Sequence, residues 1–169
     1  MITSGSPAPA AVADAAFRAW LRGQLAGLPA AVRGRLSFEL TETSLMTEPA
    51  SVTALVNDLQ ALDVELGIDH YGRNFSDVGQ LHARRPGYVK LDGAYTRDLE
   101  QDEHTRFMVR ALCGAVRGLG ARVIVEAVQD RDRLETLAGL GVYGAQGFAL
   151  EAPHPLEDYF SPAGTSGNR

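Results

Sequence analysis

The strongest constraint on the fold is a regular alternation of strand-like and helix-like segments along almost the whole chain. Residues 35–42 alternate apolar and polar side chains, and residues 122–128 form a nearly continuous β-branched run, which is typical of a strand covered on both faces. The five predicted strands lie at 35–42, 64–69, 88–92, 122–128 and 142–148. Each gap between them is long enough for a helical crossover, which parallel strands require. The sequence therefore predicts an α/β fold with mainly parallel strands.

The segments between and before the strands have helical periodicity. The first predicted helix spans roughly Ala11 to Ala26, and another begins near Pro49. The apolar stripe of the first helix consists of Phe17, Trp20, Leu21 and Leu25. Further helices are predicted near 76–83, 102–119 and 130–140. Residues 1–10 are small, polar and proline-bearing, which predicts an entry loop, and 161–169 predict a flexible tail, so that the domain spans 11–160.

Composition narrows the class of protein. The 169 residues are 45% hydrophobic and 22% charged, which is ordinary for one globular domain. The net charge of −5 argues against a nucleic acid duplex as partner. Cys113 is the single cysteine, which excludes an internal disulfide and fits a reducing compartment such as the cytoplasm. No apolar run approaches about 18 residues, so we expect no membrane contact by this chain itself.

Polar residues gather where the predicted strands end. They are Glu39, Glu42, Asp69, Lys90, Asp92, Glu126 and Gln146. In parallel α/β folds the carboxyl ends of the strands meet at one edge, where reactive groups collect. Carboxylates grouped in this way suit Mg²⁺ or Mn²⁺, and a lysine beside the metal ions would offset charge on a scissile phosphate. The pattern therefore predicts phosphodiester chemistry.

Five motifs in this order, "FELTE", "IDHYG", "VKLD", "VEAVQ" and "AQGF", resemble those of the EAL domain. The resemblance covers about residues 10–160. That family comprises cyclic di-GMP phosphodiesterases and their inactive receptor relatives, built on a modified β/α barrel of the TIM-barrel type. The resemblance therefore implies this fold and a role in signal transduction by a bacterial second messenger.

The resemblance also implies roles for individual residues. Glu39 and Asp69 correspond to metal ligands, and Lys90 to the lysine that contacts the hydrolytic water. The remaining acids and the glutamine of the family's motifs are represented in this sequence by Asp92, Glu126 and Gln146. Phe148 and Pro153 correspond to residues that line the nucleotide base. All eight are expected to be ligand-binding positions, of which Lys90, Glu126 and Gln146 are remnants of the catalytic set.

Departures from the family pattern predict a degenerate site. His70 stands where active members have a second acid, and a neutral imidazole cannot supply the charge and bridging oxygens that two Mg²⁺ ions need. Gln129 replaces the last acid of the "VEAVQ" motif, and Arg73 is bulky where the family has threonine. The segment with the Glu-Ala-Leu motif itself is missing, which predicts a partial barrel lacking its first strand or strands. We therefore expect no functional catalytic residue.

The combined prediction is a catalytically degenerate signalling domain that binds, or formerly bound, cyclic di-GMP and acts through protein contacts. The sequence is similar to the LapD-type cyclic di-GMP receptor, so the chain is expected in the cytoplasm or as the cytoplasmic part of a membrane-anchored parent. No cofactor is required, and Mg²⁺ or Mn²⁺ would bind only if a site is intact. Self-association as a dimer is expected, with residues 106–119 as the candidate surface. Two alternatives are an active Mg²⁺-dependent cyclic di-GMP phosphodiesterase and an interaction domain that binds no nucleotide.

Overall fold

The computed structural model describes residues 2–4, 7–72, 78–97, 99, 102–148 and 150. Within them, six strands form one sheet in which all neighbouring pairs are parallel. The strands are β1 (Ile2–Ser4), β2 (Leu36–Thr41), β3 (Glu65–Tyr71), β4 (Tyr88–Leu91), β5 (Arg122–Val125) and β6 (Gly144–Ala145). The helices are α1 (Pro9–Ala13), α2 (Ala15–Ala26), α3 (Ala30–Arg33), α4 (Glu42–Thr47), α5 (Pro49–Ala61), α6 (Val78–Arg84), α7 (Ala94–Arg97), α8 (Glu103–Gly118) and α9 (Arg133–Gly139). The strands neighbour one another in chain order, which confirms the predicted parallel α/β fold.

The beginning of the chain differs from the prediction. The expected entry loop over residues 1–10 is wrong at Ile2–Ser4, which form β1, and at Pro9, where α1 begins. β1 pairs in parallel with β2, with Ile2 opposite Leu36 and Ser4 opposite Phe38. Ile2 and Thr3 are residue types that favour strands, but a run of three residues is too short to be recognised as a strand in the sequence, so this element depends on its pairing with β2.

The predicted first helix is two helices. Asp14 has extended backbone angles, and its side chain accepts hydrogen bonds from the amides of Ala16 (2.8 Å) and Phe17 (3.4 Å). This N-cap starts α2 and separates it from α1. The later helix ends follow the sequence more closely, because Gly120 and Gly141 both have left-handed φ angles just after α8 and α9.

The central strands are buried on both faces, and the two faces differ in chemistry. Phe38 and Leu40 of β2 join Val89 and Leu91 of β4 in the apolar core. On α5, four buried residues form one stripe of this core: Val52, Leu55, Val56 and Leu59. The opposite face carries buried polar side chains, which alternate with the apolar ones as strand geometry requires. This polar face positions the candidate site.

Two strands are shorter than predicted. β5 ends at Val125 instead of residue 128, and β6 comprises only Gly144 and Ala145 of the predicted 142–148. After Glu126 the backbone turns at Ala127, whose φ of 55° is left-handed and incompatible with a continuing strand. Glu126 thus lies immediately beyond the end of its strand. In the described part of the chain, no helix has both the length and the hydropathy that crossing a bilayer requires.

Candidate functional site

The centre of the polar face is a buried ion pair between β2 and β4. Lys90 Nζ lies 2.8 Å and 3.0 Å from the two carboxylate oxygens of Glu39, and 3.6 Å from Glu126 Oε1. Burial alone would lower the pKa of Lys90, but the hydrogen bond to Glu39 and the nearby charges of Glu39, Glu126 and Asp69 outweigh it, so the pKa is raised. Lys90 is therefore a fixed positive charge at neutral pH.

Tyr88 completes the surroundings of Glu39. Its hydroxyl donates to Glu39 Oε1 at 2.7 Å and lies 3.1 Å from Ser37 Oγ. In the sheet, Gly67 of β3 lies between Glu39 and Tyr88, and a Cβ at Gly67 would lie 2.3 Å from the Tyr88 ring. The missing side chain lets the phenol cross β3. Burial is the main reason why the pKa of Tyr88 is raised, so the hydroxyl stays protonated and can donate.

His70 lies among three carboxylates. Its Nδ1 is 3.4 Å from both Asp92 Oδ2 and Glu126 Oε2, and its Nε2 is 3.7 Å from Asp69 Oδ2. Regular strand alternation would point Asp69 and His70 to opposite faces. Here the register of β3 on β4 shifts between Ile68 and Tyr71, and His70 has a left-handed φ of 53°. These two irregularities bring both side chains to the same cluster.

Glu126 contacts both Lys90 and His70. The pKa of Glu126 is raised, mainly by burial and also by the neighbouring carboxylate of Asp69 and a hydrogen bond with that carboxylate. The charges of Lys90 and His70 lower this pKa, but by less. Two carboxyl groups in such contact are stable only if they share a proton or a cation lies near them. This part of the cluster favours the binding of positive charge.

A cavity of about 420 Å³ opens beside the cluster. It is lined by His70, Asp92, Gly93, Ala94, Glu126, Ala127 and Gln129. Asp92 is fixed at its edge, since Oδ1 accepts a 2.9 Å hydrogen bond from the amide of Ala94 at the start of α7. His70 and Gln129 provide polar side-chain groups toward a bound molecule.

The structure brings together most, but not all, of the residues singled out from the sequence. The clustered residues are Glu39, Asp69, His70, Lys90, Asp92 and Glu126. Gln146 and Phe148 lie at and beyond the end of β6 with exposed side chains, and in the described part of the chain neither side chain forms a hydrogen bond or ion pair with the cluster. Pro153, Arg73 and the predicted tail over 161–169 lie outside the described residues.

Sequence reasoning missed Tyr88 and Ser37. Each lies two residues before a predicted site residue on the same strand, Ser37 before Glu39 and Tyr88 before Lys90. Because every second residue of a strand faces the same side, this spacing was the signal that could have identified them. Among the described residues, one potential ligand atom each from Asp69, His70 and Glu126 lies within 4.8 Å of the others.

The parallel sheet and its carboxylate–lysine cluster define an α/β protein with a candidate phosphate or metal site at its strand ends. The chain belongs to the EAL domain family, whose model matches residues 5–153. It is 27% identical over 122 residues to the cyclic di-GMP phosphodiesterase PdeB of Shewanella oneidensis, a match that covers 72% of this chain and 14% of PdeB. The chain thus spans only a small part of this curated relative.

Solved structures agree with this assignment. The PaMucR phosphodiesterase in complex with c-di-GMP superposes with a TM-score of 0.80 at 25% identity, over 91% of this chain and 62% of PaMucR. LapD from Vibrio cholerae, in an apo form comprising an S helix, GGDEF and EAL, gives a TM-score of 0.80 at 27% identity, over 88% of this chain and 37% of LapD. The expected likeness to both phosphodiesterases and LapD is confirmed.

Proposed function

We propose that this chain is an EAL-type signalling module that binds cyclic di-GMP without hydrolysing it. Both PaMucR and LapD have been solved with c-di-GMP bound, and LapD in that complex is 27% identical to this chain. The cavity beside the His70–carboxylate cluster is the proposed nucleotide pocket, with Gln129 on its wall. Behind the cavity wall, Asp69 faces His70, and Lys90 contacts both Glu39 and Glu126.

The observation that carries the proposal is the position of His70. Hydrolysis by a metal pair needs carboxylate oxygens that bridge two ions about 3.5–4 Å apart. The imidazole of His70 lies between Asp92 and Glu126, 3.4 Å from each, so that a nitrogen donor lies where bridging oxygens would be required. This donor set does not fit a magnesium pair. Binding of the nucleotide does not require the pair, whereas activation of water does.

The second part of the proposal is that the domain signals through contacts with other protein chains. On α8, Val109, Cys113 and Val116 are buried, whereas Phe107 is 67% exposed on the outer face. A shallow cavity of about 440 Å³ there is lined by Glu103, His104, Arg106, Phe107 and Arg110. Exposed aromatic and arginine side chains are enriched in protein interfaces. The outer face of α8 lies within the proposed self-association surface, residues 106–119.

Calorimetric titration with cyclic di-GMP, in Mg²⁺ and in EDTA, tests the nucleotide claim. We expect saturable binding by the wild-type chain, weaker binding by Gln129→Ala and unchanged binding by Trp20→Ala, whose side chain is exposed on α2. Absence of binding in both buffers would contradict the proposal and favour an interaction domain without a nucleotide. Formation of the linear dinucleotide in the same samples would instead favour an active phosphodiesterase.

A further inference from the structure

We propose that Tyr95 is a positioning residue for the cavity beside His70. Its hydroxyl group fixes the chain where it leaves β3 and thereby sets the orientation of the His70 imidazole in the cavity wall. This inference deepens the proposed function and rests on it for the identity of the nucleotide, whereas the orientation of His70 can be measured without any ligand.

Tyr95 lies on α7 and reaches the segment that follows β3. Its hydroxyl donates a 2.7 Å hydrogen bond to the carbonyl oxygen of Gly72, in a partly buried contact. Gly72 follows Tyr71, the last residue of β3, and lies two residues after His70. The hydrogen bond therefore ties α7, which follows β4, to the chain immediately after His70.

The aromatic ring of Tyr95 packs directly on Gly72. A Cβ at Gly72 would lie 2.6 Å from Cε2 of the ring, which is closer than side chains approach one another. Gly72 also has a left-handed φ of 98°, a conformation that glycine adopts without the strain of other residues. The ring and the glycine thus fit each other closely, and the hydroxyl adds a directional contact to this packing.

A second part of the cavity lining belongs to the same turn as Tyr95. The amide of Tyr95 donates to the carbonyl oxygen of Asp92 at 3.0 Å, and the amide of Ala94 donates to the Asp92 side chain at 2.9 Å. Asp92 and Ala94 line the cavity together with His70. Tyr95 therefore connects the two segments, one after β3 and one after β4, whose spacing sets the shape of the cavity.

The hydroxyl group of Tyr95 is available as a donor. Burial raises the pKa of Tyr95, and the charges of Glu42 and Asp92 raise it further, so the phenol stays protonated at neutral pH. A phenylalanine at this position would fill the space of the ring and could not donate to the Gly72 carbonyl. The hydroxyl can therefore be removed with little change in packing.

His70 depends on neighbouring contacts because its backbone is strained. Its left-handed φ of 53° is unfavourable for a residue other than glycine and persists only where the surrounding structure enforces it. An anchor two residues later limits the backbone angles open to His70. The anchor thereby helps to keep the imidazole between Asp92 and Glu126, 3.4 Å from each.

The first test is the imidazole NMR spectrum of the full chain without nucleotide. Tyr95→Phe should shift or broaden the signals of His70 and leave those of the exposed His82 on α6 unchanged. Tyr143→Phe is the matched control, because it removes an exposed tyrosine hydroxyl before β6, away from the strand ends that carry the cluster, and it should leave the His70 signals unchanged.

Gly72→Ala provides an independent perturbation, because its Cβ would displace the Tyr95 ring, and it should shift the His70 signals as well. A purely structural role of Tyr95 would lower the melting temperature without a selective change at His70. Unchanged His70 signals in both Tyr95→Phe and Gly72→Ala would overturn the inference.

Calorimetric titration with cyclic di-GMP tests the consequence for binding. Tyr95→Phe should weaken binding about two- to tenfold, the range expected from one hydrogen bond. In a His70→Gly background the same change should have no further effect, because Tyr95 acts through His70. Equal affinities of the wild type and Tyr95→Phe, or an equal loss in both backgrounds, would contradict the positioning role. A wild type that binds no nucleotide would refute the proposed function, and the His70 spectra would still decide the role of Tyr95.

Discussion

The hydroxyl of Tyr88 reaches across β3 to donate a 2.7 Å hydrogen bond to Glu39, and Gly67 makes this contact possible. The same carboxylate holds Lys90, so one glycine supports the geometry of both side chains. The geometry of the polar face therefore depends on Gly67, which has no side chain, as well as on the charged residues.

Gly67→Ala should destabilise the domain by about 1–3 kcal/mol, because its Cβ would overlap the Tyr88 ring in a packed interior. Gly144→Ala is the matched control, since its Cβ would meet only Ile124, at an ordinary 3.9 Å. Urea unfolding should show a lower midpoint for the first variant and no loss for the second. Equal midpoints would mean that Tyr88 does not need the space over Gly67.

His70→Asp should restore affinity for Mg²⁺. Aspartate tolerates left-handed backbone angles, and it would add an acid to a cluster that already contains Asp69 and Glu126. Without metal the extra negative charge should lower the melting temperature, and Mg²⁺ should raise it again by mass action. His70→Asn has the same shape without the charge and should show no such Mg²⁺-dependent shift. Equal shifts in the two variants would contradict the assigned role of position 70.

Cys113 should be inert in the folded protein. Its side chain is fully buried on α8, and burial raises the pKa of the thiol above its ordinary value of 9.0, only partly offset by Arg117. A thiol reagent at pH 8 should therefore react only on unfolding. Above about pH 9 the unfolded chain releases this proton first, so stability should fall as pH rises, and fall less in Cys113→Ala. Rapid labelling of the native protein would contradict this burial.

Phe107 should contribute to self-association. It is 67% exposed on α8, and burying its ring between two copies would remove apolar surface from water. Light scattering at tens of micromolar protein should show a dimer for the wild type and a monomer for Phe107→Asp. Trp20→Ala, which removes another exposed aromatic residue, should leave the dimer intact. A monomeric wild type would contradict the predicted surface.

The sequence predicted the parallel sheet and most of the clustered residues because both follow from simple periodicity. Glu39 and Lys90 lie on strands with regular alternation, so their shared face follows from the pattern. Asp69 and Glu126 could be placed at strand ends for the same reason. Whether Asp69 and Glu126 contact each other depends on how their strands are aligned in the sheet, and the sequence pattern does not determine that alignment.

The rest depended on irregular backbone and tertiary contact. The position of His70 results from a register shift and a left-handed φ, neither of which has a local signal in "IDHYG". Trp20 fits the apolar stripe of its helix but is 59% exposed, with its ring 5.9 Å from that of Phe17. Periodicity shows which side of a helix is apolar, and it does not show how far the neighbouring elements extend to cover that side.

The most direct test of the central claim is a single-turnover assay with the chain in excess over cyclic di-GMP, in Mg²⁺ and in Mn²⁺. Chromatography after prolonged incubation would separate intact cyclic dinucleotide from its linear product. We predict that the nucleotide is recovered intact while equilibrium binding is measurable in the same samples. Linear product formed by the wild type, and lost in Lys90→Ala, would contradict the account and establish a working phosphodiesterase.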